Sequence, residues 1–531
     1  MVVKNIVKEG RYFDSVLLLR VSQRASEFDG VRKVQVVMAT DSNKQILKDL
    51  GLYEDKLDRA TPNDLVISLD ADKDKVAEVV KKIENELTGE RRRIEKEYFP
   101  KSLETALERL PDATLVAVSI PGEHAHREAS EALDRGLNLF IFSSNVPLDK
   151  ELDLKKRGRE KGLLVMGPDC GTAIINGVIM GFGNVIDRGP VGIVAASGTG
   201  IQQATTLLQR MEVGTSHAIG TGSNDLSEKI GGITMIEGIK RLEEDEETEL
   251  ILLISKPPAQ SIEEKVLEYV EKNVTKPVVV NFFGREPETV DKAGLFYVET
   301  LEEAAVKAVN ILKGEDYTRQ KYPRSFNSMI ELAEKEWKKL SDEQMYIRGL
   351  YSGGTLSSEA QFILKDLIGY AYSNSPLNLR YKLEDSNKSV KNTFVDLGGE
   401  EFVAGRLHPM IDPTIRRHRI LQEMRDQEMA VLLLDVVIGY GSNEDPAGAL
   451  LQEIKEAKKV FEERGGYLPV VATVVGTELD PQNLTEQEGK LKDAGVVVLP
   501  SNAQAVAVAG LIAMRGSDFK KLKMWYGGGD K

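Results

Sequence analysis

From residue 112 onward, short apolar runs alternate with amphipathic segments. Apolar strands separated by helices of about a dozen residues are typical of a parallel sheet with both faces covered. The pattern predicts helices over 123–135 and 149–161. The apolar runs that flank them, and that we expect to be strands, are ATLVAVSIP, NLFIFSS and LLVMGPD. Residues 96–188 are therefore predicted to form one α/β domain.

A second α/β unit is predicted over residues 189–315, and its first strand leads into a turn rich in small residues. The stretch from Pro190 to Ala204 reads PVGIVAASGTGIQQA, an apolar run followed by a Ser-Gly-Thr-Gly turn and a helix. The first amide groups of a helix have no partner within the helix and lie at its positive end. Such a turn is typical of an anion or phosphate site.

The same series of elements returns in the last third of the chain, over residues 349–531. SGGTLSSEA repeats SGTGIQQA, PVVATVVGTE repeats PVVVNFFGRE, and AGVVVLPSNAQAVAVAGLI repeats AGLFYVETLEEAAVKAVNIL. Matching elements in the same order indicate a duplication. The second copy carries an additional polar segment over 382–419, which we expect to be a functional insertion over the second cleft. A helical linker is predicted over 316–348.

The first 95 residues predict a small α+β module. Thr40 is placed to cap a helix, and Gly51 is placed to end it. The charged segment TGERRRIEKEYFPKS that follows is interpreted as a linker. The three runs expected to be strands are SVLLLRVS, VRKVQVVMAT and DLVISLD.

Composition narrows the class of protein. The 531 residues carry a formal net charge of −14, which disfavours nucleic acid as a partner because an acidic surface repels phosphate backbones. Cys170 is the single cysteine, so neither an internal disulfide nor a cysteine-based zinc cluster can form. The apolar runs fall well short of the roughly 20 residues that cross a bilayer. Together with an N-terminus that lacks a signal-peptide pattern, this predicts a cytoplasmic protein that binds no membrane.

Two turns are the candidate phosphate-binding sites, and an ordinary strand-to-helix turn is the alternative for each. Their predicted phosphate-binding residues are Ser197, Gly198, Thr199 and Gly200 in the first turn, and Ser352, Gly353, Gly354 and Thr355 in the second turn.

Two further turns, GTGSND and GYGSNED, are interpreted as comparable strand-end turns. Gly222, Asn224 and Asp225 in one, and Gly441 and Asn443 in the other, are candidate substrate-binding residues. The alternative is that the glycines serve backbone conformation and the polar residues cap helices.

The insertion contains GRLHPMIDPTIRRHR, which is rich in groups that bind anions. His408 and Arg416 are candidate catalytic residues, and Asp412 and Arg417 are candidate substrate-binding residues. The alternative is a loop histidine beside surface arginines. No set of histidines and carboxylates has metal-ligand spacing, so no metal is predicted.

From Pro111 to about Gly314 the chain resembles the α subunit of succinyl-CoA synthetase and other ADP-forming acyl-CoA ligases. The matching motifs are PDATLVAVSIP, EKGLLVMGPDCGTAIING and VGIVAASGTG. The resemblance implies duplicated doubly wound parallel-sheet domains, with a Rossmann-like CoA-binding-type domain over 96–188 and flavodoxin-like ligase domains over 189–315 and 349–531. It also implies a phosphate held at the Ser197–Gly198–Thr199 turn, near a phosphorylated histidine.

Two features depart from that family. The first strand is not followed by the glycine-rich loop that helps bind coenzyme A, which argues against binding of coenzyme A or a nucleotide. The segment that carries the family's phosphohistidine reads NFFGREPETVDKAG here, from Asn281 to Gly294, and has no histidine. A covalent phosphoryl relay through histidine therefore lacks its nucleophile.

With the HPMIDP motif at His408–Pro413 included, nearly the whole chain resembles the FdrA family. That resemblance implies a subunit of an oxamate carbamoyltransferase, which converts carbamoyl phosphate and oxamate to oxalurate and phosphate in allantoin breakdown. It implies small anionic substrates and other protein subunits in a heteromeric complex. The alternatives are an ADP-forming acyl-CoA synthetase-like or CoA-binding enzyme, and a non-catalytic scaffold subunit.

Overall fold

The computed structural model describes residues 2–13, 15–96, 100–283, 294–314, 325–403 and 406–517. The chain divides into two compact units. The first comprises residues 1–102 with 398–418, and the second comprises residues 103–397 with 419–531.

The first unit contains a three-stranded antiparallel sheet in the order β1-β3-β2. Leu18, Val21 and Ala25 of its first helix pack with Val36 and Ile67 of the sheet to form the core. This arrangement confirms the predicted α+β module. Its elements are β1 (Val2–Lys8), α1 (Ser15–Ser26), β2 (Val31–Met38), α2 (Asp41–Asp49), β3 (Leu65–Ala71) and α3 (Val76–Lys96), with a 3-10 turn at Asp55–Arg59.

Two predictions for this module were wrong. SVLLLRVS belongs to helix α1, not to a strand, because its buried residues Leu18, Val21 and Ala25 recur at the helical spacing of three and four. The TGERRRIEK part of the expected linker continues α3 as far as Lys96. Thr40 does cap α2, since its side chain accepts a hydrogen bond from the Asn43 amide.

The second unit begins with a three-stranded parallel sheet in the order β4-β5-β6. Both helices between the strands lie where the sequence predicted them. The elements are α4 (Leu103–Leu107), β4 (Leu115–Val118), α5 (Gly122–Asp134), β5 (Asn138–Ile141), α6 (Leu148–Glu160) and β6 (Val165–Met166).

A seven-stranded sheet follows, in the order β13-β12-β11-β9-β10-β7-β8. The two strands that come first along the chain, residues 172–175 and 178–181, form a hairpin around Asn176 and Gly177. Both of these turn residues have positive φ, as a two-residue turn of this kind requires. The hairpin pairs with β10, so residues 172–181 join this sheet although the predicted boundary at 188 separated them from it. The elements are β7 (Thr172–Ile175), β8 (Val178–Gly181), β9 (Val191–Ala195), α7 (Gly198–Arg210), β10 (Thr215–Gly220), α8 (Ile233–Glu244), β11 (Leu250–Ser255), α9 (Gln260–Asn273), β12 (Val278–Phe282), β13 (Leu295–Tyr297) and α10 (Leu301–Lys313).

After α11 (Phe326–Trp337), which lies in the predicted linker, comes a six-stranded parallel sheet in the order β15-β16-β14-β17-β18-β19. Short 3-10 turns occupy Leu379–Tyr381 and Gly448–Leu450. The elements are β14 (Tyr346–Tyr351), α12 (Gly354–Ile368), β15 (Tyr372–Ser373), β16 (Thr393–Asp396), α13 (Glu400–Val403), α14 (Thr414–Glu423), β17 (Met429–Val437), α15 (Leu451–Glu463), β18 (Val470–Val475), α16 (Leu484–Asp493), β19 (Val497–Leu499) and α17 (Asn502–Ala513).

The two larger sheets share one topology. Five parallel strands run in the order β10-β9-β11-β12-β13 in one and β16-β14-β17-β18-β19 in the other. Both are the flavodoxin-like order 2-1-3-4-5. The chain is thus an α/β protein with duplicated doubly wound parallel-sheet domains, as predicted. We call these domains the first repeat, built on β9–β13, and the second repeat, built on β14–β19.

The topology corrects two finer predictions. GTGSND follows β10, the second strand of its repeat, whereas GYGSNED follows β17, the third strand of its repeat, so the two turns are not equivalent. Residues 398–418 belong to the first unit, although all of 382–419 was predicted to be an insertion in the second repeat. The chain leaves the second sheet at the end of β16 and returns to it at β17.

The two repeats meet through buried polar side chains. Glu302 of α10 accepts hydrogen bonds from Ser501 and, at 3.2 Å, from the side-chain amide of Gln504. Glu359 of α12 accepts from the Leu301 amide at 2.8 Å and from the Asn502 side chain at 2.7 Å. Burial raises the pKa of Glu302 and the pKa of Glu359 to about 7. Each carboxyl group therefore holds its proton more tightly in the folded chain than in the unfolded chain.

We expect the stability of this contact to fall as the pH rises. A folded pKa near 7 against an ordinary value near 4.5 means that the folded state binds more protons, so stability present at low pH is lost through pH 7. Between pH 6 and 8 the free energy of unfolding should drop by about 1 kcal/mol for each carboxyl group. Urea unfolding of the wild type, E302Q and E359Q at both pH values measures this.

The exposed variant E264Q is the control for this measurement and should keep the wild-type pH dependence. An equal pH dependence in the wild type and the E302Q/E359Q double variant would contradict the assignment.

Among the described residues, no helix combines the length and the apolar content that crossing a bilayer requires.

Candidate functional site

The first candidate turn joins β9 to α7. Ser197 is the N-cap residue, with φ −161° and ψ 112°, and its hydroxyl accepts a hydrogen bond from the Gly200 amide at 2.8 Å. The amide groups of Gly198 and Thr199 donate no hydrogen bond within the described part of the chain. Gly198 and Thr199 are partly exposed, whereas Ser197 is buried. The turn thus offers two free amides at the positive end of a 13-residue helix.

The second candidate turn, at the start of α12, already holds an anion from the chain itself. The buried Asp435 carboxylate of β17 accepts hydrogen bonds from the Ser352 amide at 2.8 Å, the Gly353 amide at 2.8 Å and the Ser352 hydroxyl at 3.0 Å. The prediction that Ser352 and Gly353 hold a phosphate is corrected on this ground. Their donors are satisfied by Asp435.

The two turns lie against each other. The Ser197 hydroxyl and the Thr355 hydroxyl form a buried hydrogen bond of 2.6 Å. A Cβ atom added to Gly353 would lie 2.8 Å from Cγ2 of Thr199, so only glycine allows this approach. The N-termini of α7 and α12 therefore converge, and Gly198, Thr199 and Gly354 are the partly exposed residues at that junction.

Sequence reasoning missed three side chains at the junction. Lys256 directly follows β11, and its Nζ lies 3.1 Å from the position that a Cβ atom on Gly354 would occupy. An oxygen of Asp396, the last residue of β16, contacts the same position. The hydroxyl oxygen of Thr172 lies 3.3 Å from the corresponding position on Gly198. The available signal was the strand order, because ligands of such sheets lie at the carboxyl ends of the strands.

The candidates in GTGSND have structural partners. Asp225 is buried, and its carboxylate accepts hydrogen bonds from the Thr234 amide at 3.1 Å and the Met235 amide at 2.9 Å, at the start of α8. It also pairs with Lys155 at 2.7 Å. The Asn224 side chain donates to Glu151 at 3.3 Å. Gly222 has φ +85° and passes too close to Pro168 for any side chain to fit.

The candidates in GYGSNED likewise support the loop. Asn443 accepts a hydrogen bond from the Asp445 amide at 2.9 Å through its side chain, and from Gln482 at 2.9 Å through its carbonyl group. Gly441 has φ +82°. For both turns the capping and backbone alternative accounts for the contacts, and a substrate-binding role stays a prediction.

The candidates in the insertion belong to the first unit and are described within it. Burial, together with the positive charge of Arg416, lowers the pKa of His408 to about 4. His408 is therefore neutral at pH 7 and a weak base, and its Nδ1 accepts a hydrogen bond from the Met410 amide at 3.3 Å. Asp412 caps α14 by accepting from the amide and hydroxyl groups of Thr414 at 3.0 and 2.6 Å. Arg416 is buried and Arg417 is partly exposed.

The cysteine and two of the histidines have structural roles. Burial raises the pKa of the Cys170 thiol to about 12, so the thiol is inert at neutral pH. His126 pairs with Asp153 at 2.9 Å. His217 lies within β10, not before it, and accepts a hydrogen bond from the Asn176 amide at 3.2 Å. Of the segment Asn281–Gly294, where the sequence lacks a histidine, residues 284–293 lie outside the described residues.

Three protein families match parts of the chain. Residues 350–512 match the family described as CoA-ligase, and residues 187–284 match the CoA binding domain. Residues 1–100 match the family described as AllF, heavy metal-associated domain. Residues 1–100 contain neither cysteine nor histidine, and their soft side chains are those of Met1 and Met38. A heavy-metal site built on cysteine or histidine therefore does not fit this part of the chain.

One similar protein covers nearly the whole chain, and others cover part of it. The uncharacterized protein YahF of Escherichia coli (strain K12) is 42% identical over 524 residues, which are 98% of this chain and 100% of YahF. The α subunit 1 of the ADP-forming succinate–CoA ligase of Archaeoglobus fulgidus is 32% identical over 173 residues, 32% of this chain and 57% of that subunit. A structure of ATP citrate lyase from Methanothrix soehngenii with citrate and coenzyme A is 21% identical, covers 43% of this chain and 39% of that chain, and has a TM-score of 0.32.

The likeness to YahF spans both units. The α subunit of succinate–CoA ligase is matched over little more than half of its length, so its activity does not transfer to this chain as a whole. The chain belongs to the family of YahF, and its matches to an AllF-type domain, a CoA binding domain and a CoA-ligase domain are consistent with an FdrA-like, succinyl-CoA synthetase α-like protein.

Proposed function

We propose that this chain is an enzyme of the CoA-ligase type that transfers an acyl group between an acyl phosphate and a nucleophile. The observation that carries the proposal is the first turn. The free amides of Gly198 and Thr199 lie at the end of β9, next to β11, where the strand order of the first repeat reverses. Ligands of doubly wound sheets bind at such a reversal, and helix N-termini favour phosphate.

The reaction needs no covalent protein intermediate. The nucleophile attacks the carbonyl carbon of the acyl phosphate, a bond forms between them, and the bond from that carbon to the phosphate oxygen breaks. The proton of the nucleophile leaves with the phosphate as hydrogen phosphate. Amides fixed at a helix N-terminus stabilise the charge that develops on the leaving phosphate. This agrees with the absence of a histidine between Asn281 and Gly294.

The thiol of coenzyme A is the first candidate nucleophile, and coenzyme A is then a substrate. The matches to a CoA binding domain over 187–284 and to CoA-ligase over 350–512 support this choice. In the reverse direction, an acyl-CoA and inorganic phosphate would give an acyl phosphate and free coenzyme A. The half-reaction of an ADP-forming ligase that involves the nucleotide would require a phosphoryl acceptor other than histidine.

Oxamate is the second candidate nucleophile, with carbamoyl phosphate as the acyl phosphate. The match of residues 1–100 to an AllF-type domain favours this candidate, because it agrees with the resemblance of the whole chain to the FdrA family. The products would be oxalurate and phosphate, and further protein subunits would complete the enzyme. Arg416 stays a predicted catalytic residue, and Arg417 stays a predicted substrate-binding residue.

The test measures phosphate release by the purified chain, alone and with the protein subunits proposed to complete it. Acetyl phosphate with coenzyme A and carbamoyl phosphate with oxamate are the two substrate pairs. We expect Thr199→Glu to lower the active rate about 100-fold or more, because its carboxylate would take the free amides and repel phosphate. Gln452→Glu is the matched control, since it places the same charge at the second residue of α15, where Gln452 is exposed.

The outcomes separate the candidate functions. Phosphate release that requires coenzyme A supports coenzyme A as the nucleophile. Formation of oxalurate supports oxamate as the nucleophile. A chain that releases no phosphate above the blank from either pair, with or without the other subunits, would contradict the proposal and leave the non-catalytic scaffold.

A further inference from the structure

Lys256 is a cation without an anionic partner at the junction of the two turns. It directly follows β11 and is half-buried. Its ammonium group forms no hydrogen bond or ion pair with any part of the chain that the structure describes. Burying part of a lysine without a partner costs free energy. Its position therefore indicates a ligand that is anionic.

The surroundings of Lys256 favour the same kind of ligand. Its Nζ lies 3.1 Å from the Cβ position of Gly354, the first residue of α12. The hydrogen bond of 2.6 Å between Ser197 and Thr355 ties the start of α7 to the same place. The N-terminus of α7 and one ammonium group thus converge, and each favours negative charge. The N-terminus of α12 already holds the Asp435 carboxylate.

A second, independent observation points to a ligand at the α7 end. Thr172 is 1% exposed, and its hydroxyl oxygen has no hydrogen-bond partner among the described residues. That oxygen lies 3.3 Å from the Cβ position of Gly198, so it is directed at the first turn. Buried hydroxyl groups almost always have a partner, and a ligand oxygen next to Gly198 would supply one.

The carboxylates of the chain do not take this role. Both oxygens of Asp435 accept hydrogen bonds within the second turn, from Ser352 and Gly353. Asp396 approaches Gly354 from the end of β16 without forming an ion pair with Lys256. The charge of Lys256 is left for a ligand.

We propose that Lys256 binds the phosphoryl group of the acyl phosphate, and that each chain holds one such group, at the first turn, while Asp435 occupies the second turn. The inference rests on the proposed function for the identity of the ligand. Lys256 then holds the phosphoryl group by charge, without the covalent bond that a phosphohistidine would form. The class of ligand is a phosphate dianion, free or as the phosphoryl group of an acyl phosphate.

Calorimetric titration with inorganic phosphate at constant ionic strength tests the inference without relying on activity. We expect one phosphate per wild-type chain and at least a tenfold weaker affinity in Lys256→Gln, with Lys256→Arg in between because it keeps the charge. Lys240→Gln is the matched control, an exposed lysine of α8 in the same repeat that should leave the affinity unchanged. Acetate in place of phosphate should bind far more weakly. Because Lys256 has no partner to lose, we expect K256Q to unfold at the wild-type temperature.

Each result bears on one claim. Equal phosphate affinity in K256Q and the wild type, or no binding to the wild type, would overturn the role of Lys256. Phosphate binding that depends on Lys256, without acyl transfer to either nucleophile, would support the site and contradict the proposed function. Acyl transfer that is unchanged in K256Q would support the proposed function and contradict the role of Lys256 in binding the phosphoryl group.

Discussion

Replacing Lys155 by methionine is expected to lower the free energy of unfolding of the second unit by about 3–5 kcal/mol. Lys155 of α6 lies with Glu151 and Asp225 in a cluster whose side chains are 0% exposed. Its ammonium group lies 2.8 Å from Glu151 and 2.7 Å from Asp225, and it donates to the Thr221 carbonyl at 2.9 Å. Without the lysine, two buried carboxylates face each other with no cation, which is the costly half of a buried ion pair.

The protonation state of Lys155 supports this expectation. Burial opposes its charge, but the attraction of Asp225 and Glu151 outweighs burial and raises the pKa of Lys155 above its usual range. Lys155 is therefore charged in the folded protein.

Thermal and urea unfolding of K155M measure the effect, with Lys156→Met as the matched control. Lys156 is the next residue of the same helix and is exposed, so K156M removes an equal charge without opening a buried cluster. Equal unfolding midpoints for K155M and K156M at pH 7 would show that the cluster does not stabilise the fold.

The repeats could be predicted from the sequence because the same pattern, an apolar strand followed by an amphipathic helix, recurs several times in each repeat. Each parallel strand is an apolar run buried on both faces, such as Leu250–Ser255 or Val470–Val475, and each is followed by an amphipathic helix. Several such elements in the same order define a topology even where a boundary is misplaced. The flavodoxin-like strand order follows from that regularity.

The short elements of the first unit do not have such a recurring pattern. The eight residues from Ser15 to Ser22 carry apolar residues at neighbouring positions, which fit a strand as well as a helix. Only the more distant Ala25, packed beside Leu18 and Val21, identifies the helical face. Strand β1 was missed because its three polar residues, Lys4, Asn5 and Lys8, interrupt a brief apolar run.

The candidate site was predicted in part. The strand-to-helix turn at Ser197 has the expected cap and free amides, because a Ser-Gly-Thr-Gly sequence after an apolar strand determines its own local geometry. The partners at Lys256 and Asp435 depend on which strands are neighbours in the sheet, and no local pattern contains that order. One signal was present: Asp435 is a lone acidic residue within the apolar strand MAVLLLDVV, where a charge requires buried donors.

The second turn gives the other prediction of large effect. We expect Asp435→Asn to lower the free energy of unfolding by about 2–3 kcal/mol, since hydrogen bonds to a charged group contribute about 1.5–3 kcal/mol. The amide and hydroxyl groups of Ser352 and the amide of Gly353 would then face a side chain with only one oxygen. The new NH₂ group would point at a donor. Asp493→Asn is the control, because Asp493 is exposed at the end of α16.

Removing the side chain altogether should turn the second turn into an anion site. In Asp435→Gly the amides of Ser352 and Gly353 lose their acceptor but keep their place at the N-terminus of α12. We expect phosphate to bind there, so that calorimetry gives two phosphates per chain in D435G against one in the wild type. Phosphate should then raise the unfolding temperature of D435G more than that of the wild type, because a ligand that binds the folded state stabilises it. A single phosphate in both proteins would mean that the amides of the second turn cannot hold an external anion, and that Asp435 is there for stability alone.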